Sequence, residues 1–314
     1  MPELPDIAVY REALERRVVG RVLKRISIRS PFLVRTIDPP IDAAEGLRVC
    51  EVGTLGKRIV FGISDASASQ KSPSLFLVLH LMIAGRLLWK SVGTKPTGKI
   101  DLAAFEFEPA SEDGATLILT EASQLKRASL HVVSNRDQLK DMDPGGVDPL
   151  SCSLDTFESV LKAHNRTLKR ALTDPHTISG IGNAYSDEIL HAAKLSPILL
   201  TSKLTDAQVA SLHTSMMSTL VLWTERLRRE FGLVDERGVL QHGRFPGVGE
   251  ITAFRADFAV HGRFGKPCPV CKNKVARIVR AESEFNYCPM CQTGGKLLAD
   301  RSLSRLLKDD WGAE

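Results

Sequence analysis

Four cysteines near the carboxyl end are the residues whose type and spacing point most directly to chemistry. They form two pairs, Cys268-Pro-Val-Cys271 and Cys288-Pro-Met-Cys291, separated by sixteen residues. Thiolates at this spacing can converge tetrahedrally on Zn²⁺, with the intervening IVRAESEFNY folding as a β-hairpin. Four sulfur ligands leave no open position, so the spacing predicts one structural zinc rather than a catalytic metal. Four free or redox-active cysteines are the alternative, and a zinc hairpin alone leaves DNA, RNA and protein partners open.

The amino terminus offers a candidate nucleophile. Met1 precedes Pro2, and methionine is usually removed ahead of proline, which would expose a secondary amine. An α-amino group has a pKa of roughly 7.7–8.0 and is therefore partly neutral near pH 7. Such an amine can attack a sugar C1′ and form an iminium, while Glu3 beside it moves protons. Many proteins begin with Met-Pro, so an ordinary chain start is the alternative.

A third motif, Gly180-Ile-Gly-Asn183, lies between two helical patterns. Backbone N–H groups ahead of a helix suit a phosphate oxygen, and Asn183 could add a side-chain donor. The motif is not a dinucleotide fingerprint, because no strand precedes it. A simple turn between helices is the alternative.

Composition sets the broad class. No apolar run among the 314 residues approaches the roughly 20 that cross a membrane. The first residues, MPELPDIAVYREALERR, lack the basic-then-apolar order of a signal peptide, so we expect a cytoplasmic protein. A formal net charge of +5 favours a polyanionic partner only weakly. Basic residues concentrate in Arg226–Arg229 and from Arg263 onward, which favours nucleic acid more strongly.

The elements that must position these groups change along the chain. Apolar spacing predicts a helix over residues 5–19. Short apolar runs with polar or Gly/Pro breaks then predict an antiparallel sandwich or barrel from about residue 20 to 133. Residues 64–74, SDASASQKSPS, predict a flexible loop within it.

The second half is predicted to be helical. Residues 134–152 are rich in Asp, Pro and Gly and suit a linker. Thr205 and Gln208 form a plausible capping box for a long helix. Residues 232–263 hold many glycines and little pattern, which is typical of a functional or disordered loop. An earlier helix is expected to carry five apolar residues on one face: Phe157, Val160, Leu161, Leu168 and Leu172.

The chain resembles the formamidopyrimidine-DNA glycosylase/endonuclease VIII family. It has, in the same order, an N-terminal PELP, a lysine in the early β segment, GIGN and a four-cysteine hairpin. HGRFGKPCPVC, which leads into the hairpin, is also similar. The resemblance extends from MPELPD through Cys291 and implies an α+β fold. Its parts would be a catalytic β-sandwich domain (1–133), a linker (134–152), a helix-two-turn-helix domain with the lesion loop (153–262), a β-hairpin zinc finger (263–295) and a C-terminal extension (296–314).

The resemblance implies base-excision repair of damaged double-stranded DNA by a nucleoid-associated monomer. Pro2 would be the nucleophile, and Glu3 would be the acid/base that opens the deoxyribose. Lys57, in GTLGKRIVF, would contact the lesion phosphate and assist catalysis; a solvent-facing strand end is the alternative. Asn183 would hold the backbone near a nucleotide flipped out of the stack. Base loss followed by β/δ-elimination would then nick the strand.

Two DNA-contacting segments depart from the family pattern. The family's HLGMSG, whose Met fills the void left by the flipped base, is His80-Leu-Met-Ile-Ala-Gly85 here. His80 stays a DNA-binding candidate, and Ile83 stands in place of the Met. The family's DPRRFG, which probes the opposite strand, is not recognisable. TEASQLKRASLHVV (120–133) lies there instead, and Lys126 or Arg127 is the candidate to replace its arginine.

The finger departs as well. Equal spacing puts Ser283 where family fingers carry a phosphate-binding arginine, and it is flanked by Glu282 and Glu284. Carboxylates there would repel a phosphate. Arg277 and Arg280, on the same hairpin, are the candidates to take over the contact. Without them, activity on duplex DNA would be weak, or it would shift towards single strands or abasic sites.

The resemblance leaves several functions open. Leu4 in PELP favours the formamidopyrimidine branch, which removes oxidised purines such as 8-oxoguanine. Activity on oxidised pyrimidines stays open, since the substrate loop within 232–262 follows no readable pattern. Arg263, in HGRFG, is either a lesion-side residue or an ordinary surface arginine. A non-catalytic damaged-DNA-binding protein and an RNA-binding zinc ribbon are the remaining alternatives.

Overall fold

A computed structural model describes the chain over residues 1–65, 72–109, 114–280 and 283–298. Most of the expected loop 64–74 and of the expected extension 296–314 therefore lies outside the described residues. So do Glu282 and the side chains of Arg280 and Ser283. No helix of the described residues is long and apolar enough to span a bilayer.

The first of two compact units, residues 1–144 with 223–252, contains a β-sandwich. Helix α1 (Leu4–Val18) precedes two antiparallel four-stranded sheets, of order β1-β6-β7-β5 and β2-β3-β4-β8. The expected N-terminal sandwich is confirmed. The strands are β1 (Leu23–Ile28), β2 (Arg48–Leu55), β3 (Arg58–Ser64), β4 (Leu75–His80), β5 (Gly85–Lys90), β6 (Asp101–Phe107), β7 (Thr116–Glu121) and β8 (Ser129–Val133).

Apart from polar residues at their ends, strands β3 and β4 are apolar, because both faces of their sheet are covered. Side chains alternate between faces along a strand, so Phe61 and Leu77 enter the core shared by the two sheets and α1. Val60 and Phe76 point the other way, into a second cluster. The short helix α2 (Arg136–Asp141) reaches this cluster through Leu139.

Residues 223–252 belong to the first unit, whereas the expected division placed them with the helical domain. A stretch without periodicity makes few backbone pairs of its own, so its carbonyls need donors from elsewhere. Arginines of the sandwich supply them. Arg16 donates to the Leu233 carbonyl (3.3 Å). Arg17 donates to the Gly243 carbonyl (2.9 Å), and Arg86 donates to the Ile251 carbonyl (2.7 Å).

The second unit comprises residues 145–222 and those from 253 onward. Its elements are α3 (Leu154–Lys162), α4 (Leu168–Thr173), α5 (Asn183–Ala192), the first part of α6 (Asp206–Glu230), β9 (Ala276–Arg280), β10 (Ser283–Tyr287) and α7 (Pro289–Thr293). The capping box of α6 is confirmed: the Thr205 N–H donates to Gln208 Oε1 (3.0 Å), and the Gln208 N–H donates to Thr205 Oγ1 (3.3 Å).

The expected single helix from Phe157 to Leu172 is wrong, because the chain breaks into α3 and α4. Between them the backbone pairs with a distant segment. The Leu168 N–H donates to the Leu199 carbonyl (2.9 Å), and the Arg166 carbonyl accepts from the Thr201 N–H (2.9 Å). These long-range hydrogen bonds replace the bonds that would have continued the helix.

An ion pair without access to water lies at the centre of the second unit. The Asp187 carboxylate, fully buried, accepts from the Lys169 ammonium, which is 1% exposed. It also accepts from His261 Nδ1 (2.7 Å) and from the Asn286 N–H (3.1 Å). Lys169 Nζ donates further to the Asn183 carbonyl (2.6 Å). This network, the Asp187 network below, joins α4, α5, the approach to the finger and strand β10.

We expect Asp187→Asn to lower the free energy of unfolding by about 3–5 kcal/mol, because it removes the carboxylate charge with which the buried Lys169 ammonium pairs. Urea unfolding followed by circular dichroism measures this change. Asp137→Asn is the control: Asp137 pairs with Lys140 at 2.9 Å, but both side chains are largely exposed. Its effect should stay below about 1 kcal/mol. Equal effects of the two substitutions would contradict the assignment.

Candidate functional site

The start of α1 fixes the place of the predicted nucleophile. Pro2 and Glu3 are both buried. The Glu3 N–H donates to Asp6 Oδ2 (3.0 Å), so Asp6, itself buried, binds one of the N–H groups that the start of a helix leaves unpaired. This hydrogen bond sets the direction in which Pro2 leaves the helix.

Charged groups surround the α-amine at the chain start. Burial lowers the pKa of the Met1 amine; Glu3 and Asp6 oppose the shift, and Arg86 and Lys57 add to it. Burial also lowers the pKa of Lys57, and Glu3 again opposes the shift. Lys57 follows Gly56 in the turn between β2 and β3. The fold thus brings three of these groups together around the chain start: Glu3, Lys57 and Arg86.

His80, the last residue of β4, is held as a neutral imidazole. Burial, with Arg58, Lys57 and His131 nearby, lowers its pKa to about 4. The Met82 N–H donates to its Nδ1 (3.2 Å), so the ring proton of the neutral form lies on Nε2. His80 can therefore donate a hydrogen bond at neutral pH. Ile83, three residues on, is 55% exposed, as a side chain that enters DNA must be.

Sequence reasoning missed Arg86. Its Nε donates to the Ile251 carbonyl, and its Nη1 donates to the Gly85 carbonyl (2.7 Å). With Ile83, Val248 and other side chains it lines a cavity of about 330 Å³. The available signal was an arginine directly after a glycine, at the start of the buried strand GRLLW. That signal is weak, because many strands begin with a charged residue.

A buried carboxylate organises the segment that contains the predicted candidates Lys126 and Arg127. Glu121, with no exposed surface, accepts the N–H groups of Arg127 (2.9 Å) and Ala128 (3.0 Å) and the Ser123 hydroxyl (2.9 Å). The Lys126 ammonium donates to the Glu121 carbonyl. Of the two predicted candidates, Lys126 is therefore engaged within the loop and Arg127 is exposed.

Asn183 begins α5, directly after the Gly180-Ile-Gly turn, as the sequence predicts. Its Nδ2 donates to the Glu284 carbonyl of the finger (2.9 Å). Its Oδ1 is buried and accepts from no group of the described residues. The amide thus ties α5 to β10 and leaves one acceptor unused.

The four predicted cysteine ligands converge. Their sulfur atoms all lie within 4.8 Å of one another. The Cys268–Cys291 and Cys271–Cys288 sulfur distances are 3.9 and 3.3 Å. Tetrahedral Zn–S bonds of about 2.3 Å would place sulfurs about 3.8 Å apart, so the cluster fits zinc. The Cys268 sulfur also lies 3.3 Å from Nε2 of the buried His191 on α5. A zinc-bound thiolate has no proton, so His191 must donate.

The arginines predicted near the finger are largely engaged with the protein. Arg263 donates to the carbonyls of Ala256 (3.0 Å) and Pro267 (3.1 Å), which favours a structural role. Arg277, more exposed, pairs with Glu284 at 3.4 Å. Arg280 ends β9, and its side chain lies outside the described part of the chain.

The candidates divide between the two units. Pro2, Glu3, Lys57, His80, Ile83, Lys126 and Arg127 belong to the first unit. Asn183, Arg263, Arg277, Arg280 and the four cysteines belong to the second.

Three family models match the chain. They describe a formamidopyrimidine-DNA glycosylase N-terminal domain (residues 1–127), a formamidopyrimidine-DNA glycosylase H2TH domain (146–226) and a zinc finger found in FPG and IleRS (265–294). An uncharacterised formamidopyrimidine-DNA glycosylase-like protein of Mycobacterium tuberculosis is 44% identical over 163 residues, which are 52% of this chain and 94% of that protein. The chain belongs to the formamidopyrimidine-DNA glycosylase family.

Other relatives of this glycosylase-family protein match nearly end to end. The formamidopyrimidine-DNA glycosylase of Pelotomaculum thermopropionicum is 26% identical over 296 residues, 93% of this chain and 99% of that enzyme. A solved structure of a Lactococcus lactis FPG mutant with Fapy-dG containing DNA has a TM-score of 0.74 at 23% identity, covering 93% of this chain and 100% of that chain. At this identity the likeness shows the shared fold.

We expect His191→Leu to weaken zinc binding about 10- to 100-fold, because Leu preserves bulk but removes the donor to the Cys268 thiolate. Competition between the zinc-loaded protein and a chromophoric chelator measures the affinity. His164→Leu, at an exposed position of the same unit, is the matched control. An unchanged affinity in His191→Leu would show that this contact does not support the metal.

Proposed function

We propose that this protein is a bifunctional DNA glycosylase and DNA-(apurinic or apyrimidinic site) lyase with the amine of Pro2 as its nucleophile. The supporting observation is the group of charges at the chain start, in which Glu3 is buried and Lys57 and Arg86 are half-buried. Removal of Met1 would leave the Pro2 amine in the surroundings that lower the pKa of the Met1 amine. A lowered pKa increases the neutral, nucleophilic fraction of an amine at neutral pH.

The chemistry follows from these groups. The neutral Pro2 nitrogen attacks C1′ and the C1′–base bond breaks. The departing base takes a proton from water, and the attacking nitrogen gives its own proton to Glu3. Glu3 donates a proton to the ring oxygen as the deoxyribose opens, which leaves an iminium between C1′ and Pro2. Loss of a C2′ proton then expels the 3′ phosphate in a β-elimination, and a second elimination can expel the 5′ phosphate. Water hydrolyses the iminium and frees Pro2.

Lys57 and His80 suit the phosphates beside the lesion. Lys57 places a positive charge near Glu3. Because Lys57 is partly shielded from water, its electrostatic attraction to a phosphate would be stronger than at a fully exposed position. His80 supplies a neutral N–H donor. Arg127 and Ile83, both exposed, suit contact with the opposite strand and with the void left by a flipped nucleotide. Damaged double-stranded DNA is the proposed partner of a monomer that acts at the bacterial nucleoid.

We propose oxidised purines, such as 8-oxoguanine and formamidopyrimidines, as the preferred lesions. The names of the end-to-end relatives support this class, and so does Leu4 in PELP. Oxidised pyrimidines are the second candidate, since one similar solved structure holds Lactococcus lactis FPG with an oxidised pyrimidine containing DNA. One structural Zn²⁺, held by Cys268, Cys271, Cys288 and Cys291, would stabilise the finger.

Borohydride reduction should trap a covalent adduct between the processed protein and a duplex that carries an abasic site. Mass spectrometry should map the adduct to Pro2. Pro2→Gly should reduce the yield by up to about a hundredfold, because the ring no longer orients the nitrogen. Lys90→Gln, at an exposed lysine, should leave the yield unchanged. Duplexes with 8-oxoguanine or an oxidised pyrimidine in the same assay identify the preferred lesion.

Absence of an adduct, with Pro2 shown to be the first residue, would exclude the lyase mechanism. Binding to damaged DNA without any adduct would favour the non-catalytic alternative.

The rate of trapping should rise with pH as the amine loses its proton. Arg86→Gln should move the midpoint of this rise to higher pH, because the positive charge of Arg86 lowers the pKa of the α-amine. Glu3 and Asp6 raise that pKa and Lys57 lowers it, and the substitution leaves all three in place. Trapping rates measured across pH give the midpoint.

Arg86→Lys separates charge from structure, since it retains the charge and alters the hydrogen bonds to Ile251 and Gly85. The midpoint of Arg86→Lys should stay near that of the unaltered protein. Equal shifts in Arg86→Gln and Arg86→Lys would contradict an electrostatic role.

A further inference from the structure

Two phenylalanine rings are exposed to solvent in the loop that precedes the zinc finger. Phe254 is 73% exposed and Phe264 is 54% exposed. Both belong to the second unit, in the loop between Ala253 and the first zinc ligand. Single exposed apolar residues are common, but two large rings on one loop indicate a surface that is covered in use.

The loop that carries the rings is firmly held. Arg263 connects its two ends through the carbonyls of Ala256 and Pro267. The buried Glu188 carboxylate accepts consecutive N–H groups of the loop, at Ala259 (2.7 Å), Val260 (2.9 Å) and His261 (2.9 Å). The rings are therefore presented by a fixed backbone, and little ordering entropy is lost when a ligand covers them.

Phe254 is positioned by close packing. Its ring stacks on His261, with centroids 5.9 Å apart and planes 19° apart. Its Cδ1 lies 2.8 Å from the position that a Cβ would take at Gly262, whose φ is +68°. Only glycine fits there, on both grounds. The Phe254 ring thus lies at the backbone of Gly262, and Phe264 follows Gly262 by two residues, so the two rings belong to the same part of the loop.

The surroundings of the rings are strongly basic. Residues 254–277 contain six Lys and Arg residues and one acidic residue, Asp257. The guanidinium of Arg277 lies 4.3 Å from the centre of the Phe264 ring, a cation–π contact. Aromatic rings among cations suit a ligand that has flat π faces and a chain of negative charges.

We propose that Phe254, Phe264 and Arg277 form a stacking surface for unpaired bases, through which this protein binds a single-stranded stretch of DNA. The proposal rests on the proposed function only in taking DNA as the partner. Bases in an intact duplex stack on one another and offer no free face, so the rings select unpaired nucleotides. Neighbouring cations, such as Lys266 and Lys274, would contact the phosphates.

Glu284 weakens the binding of phosphate at this surface. Its carboxylate lies 3.4 Å from the Arg277 guanidinium and competes with a phosphate for it. Removal of that carboxylate charge should therefore strengthen binding of a single strand.

Fluorescence anisotropy with a labelled, undamaged oligothymidylate tests the proposal on the full, zinc-loaded chain. Phe264→Leu should weaken binding about five- to hundredfold, because Leu has no ring face on which a base can stack. Phe264→Trp should bind at least as tightly as the unaltered protein. Val270→Ser, at a 65% exposed apolar position of the same finger, is the matched control and should change little. Affinity for an intact undamaged duplex should be equal in all four proteins.

The salt dependence of the binding affinity separates the contribution of base stacking from that of phosphate contacts. Phe264→Leu should keep the slope of log affinity against log salt, whereas Arg277→Gln should reduce it by about 0.7, the value for one phosphate on a single strand. Glu284→Gln should tighten binding.

Equal binding by Phe264→Leu and the unaltered protein would overturn the proposal, and so would the absence of single-strand binding. Failure of borohydride trapping would refute the proposed catalysis and leave this result intact, because the oligothymidylate carries no lesion.

Discussion

A carboxylate shut off from water, that of Asp187, is the constraint on which the second unit depends. A charge in the interior is tolerated only when its partners replace water completely, and Asp187 receives Lys169, His261 and a backbone N–H of β10. Each partner comes from a different segment. The glycine turn before α5, the approach to the finger and the zinc hairpin are therefore held in one arrangement by a single side chain. The hydrogen bond from Asn183 to the Glu284 carbonyl reinforces it.

In the first unit, the constraint is a long segment, residues 233–251, that makes few backbone hydrogen bonds of its own. Arginines on α1 and β5 donate to carbonyls of residues 233–251, so that this segment joins the sandwich instead of the helices next to it in sequence. Arg86 has two roles, because its charge also reaches the amine at the chain start. One guanidinium thus holds this segment and also lowers the pKa of the amine at the chain start. By contrast, the finger depends on sulfur ligands and on the hydrogen bond from His191.

Much of this fold follows from local sequence. Short apolar runs with polar or Gly/Pro breaks predict the sandwich. The Thr205–Gln208 box predicts the start of α6, and the cysteine spacing predicts the metal cluster. Long-range interactions explain what local pattern missed. The break between α3 and α4 depends on pairing with residues 199–201, more than thirty positions away. The place of residues 223–252 depends on arginines that look like ordinary surface cations in the sequence. The roles of Arg86 and His191 likewise arise from neighbours that no spacing rule connects.

Glu121 gives the loop 122–128 a property that its amino-acid sequence does not suggest. The carboxylate binds backbone N–H groups, so the path of the loop is independent of most of the side chains it displays. The side chains of Leu125 and Arg127 are exposed, and the loop backbone would follow the same path with other residues at those positions. Substitutions at these exposed positions should therefore change the chemistry of the loop surface and leave its backbone path in place.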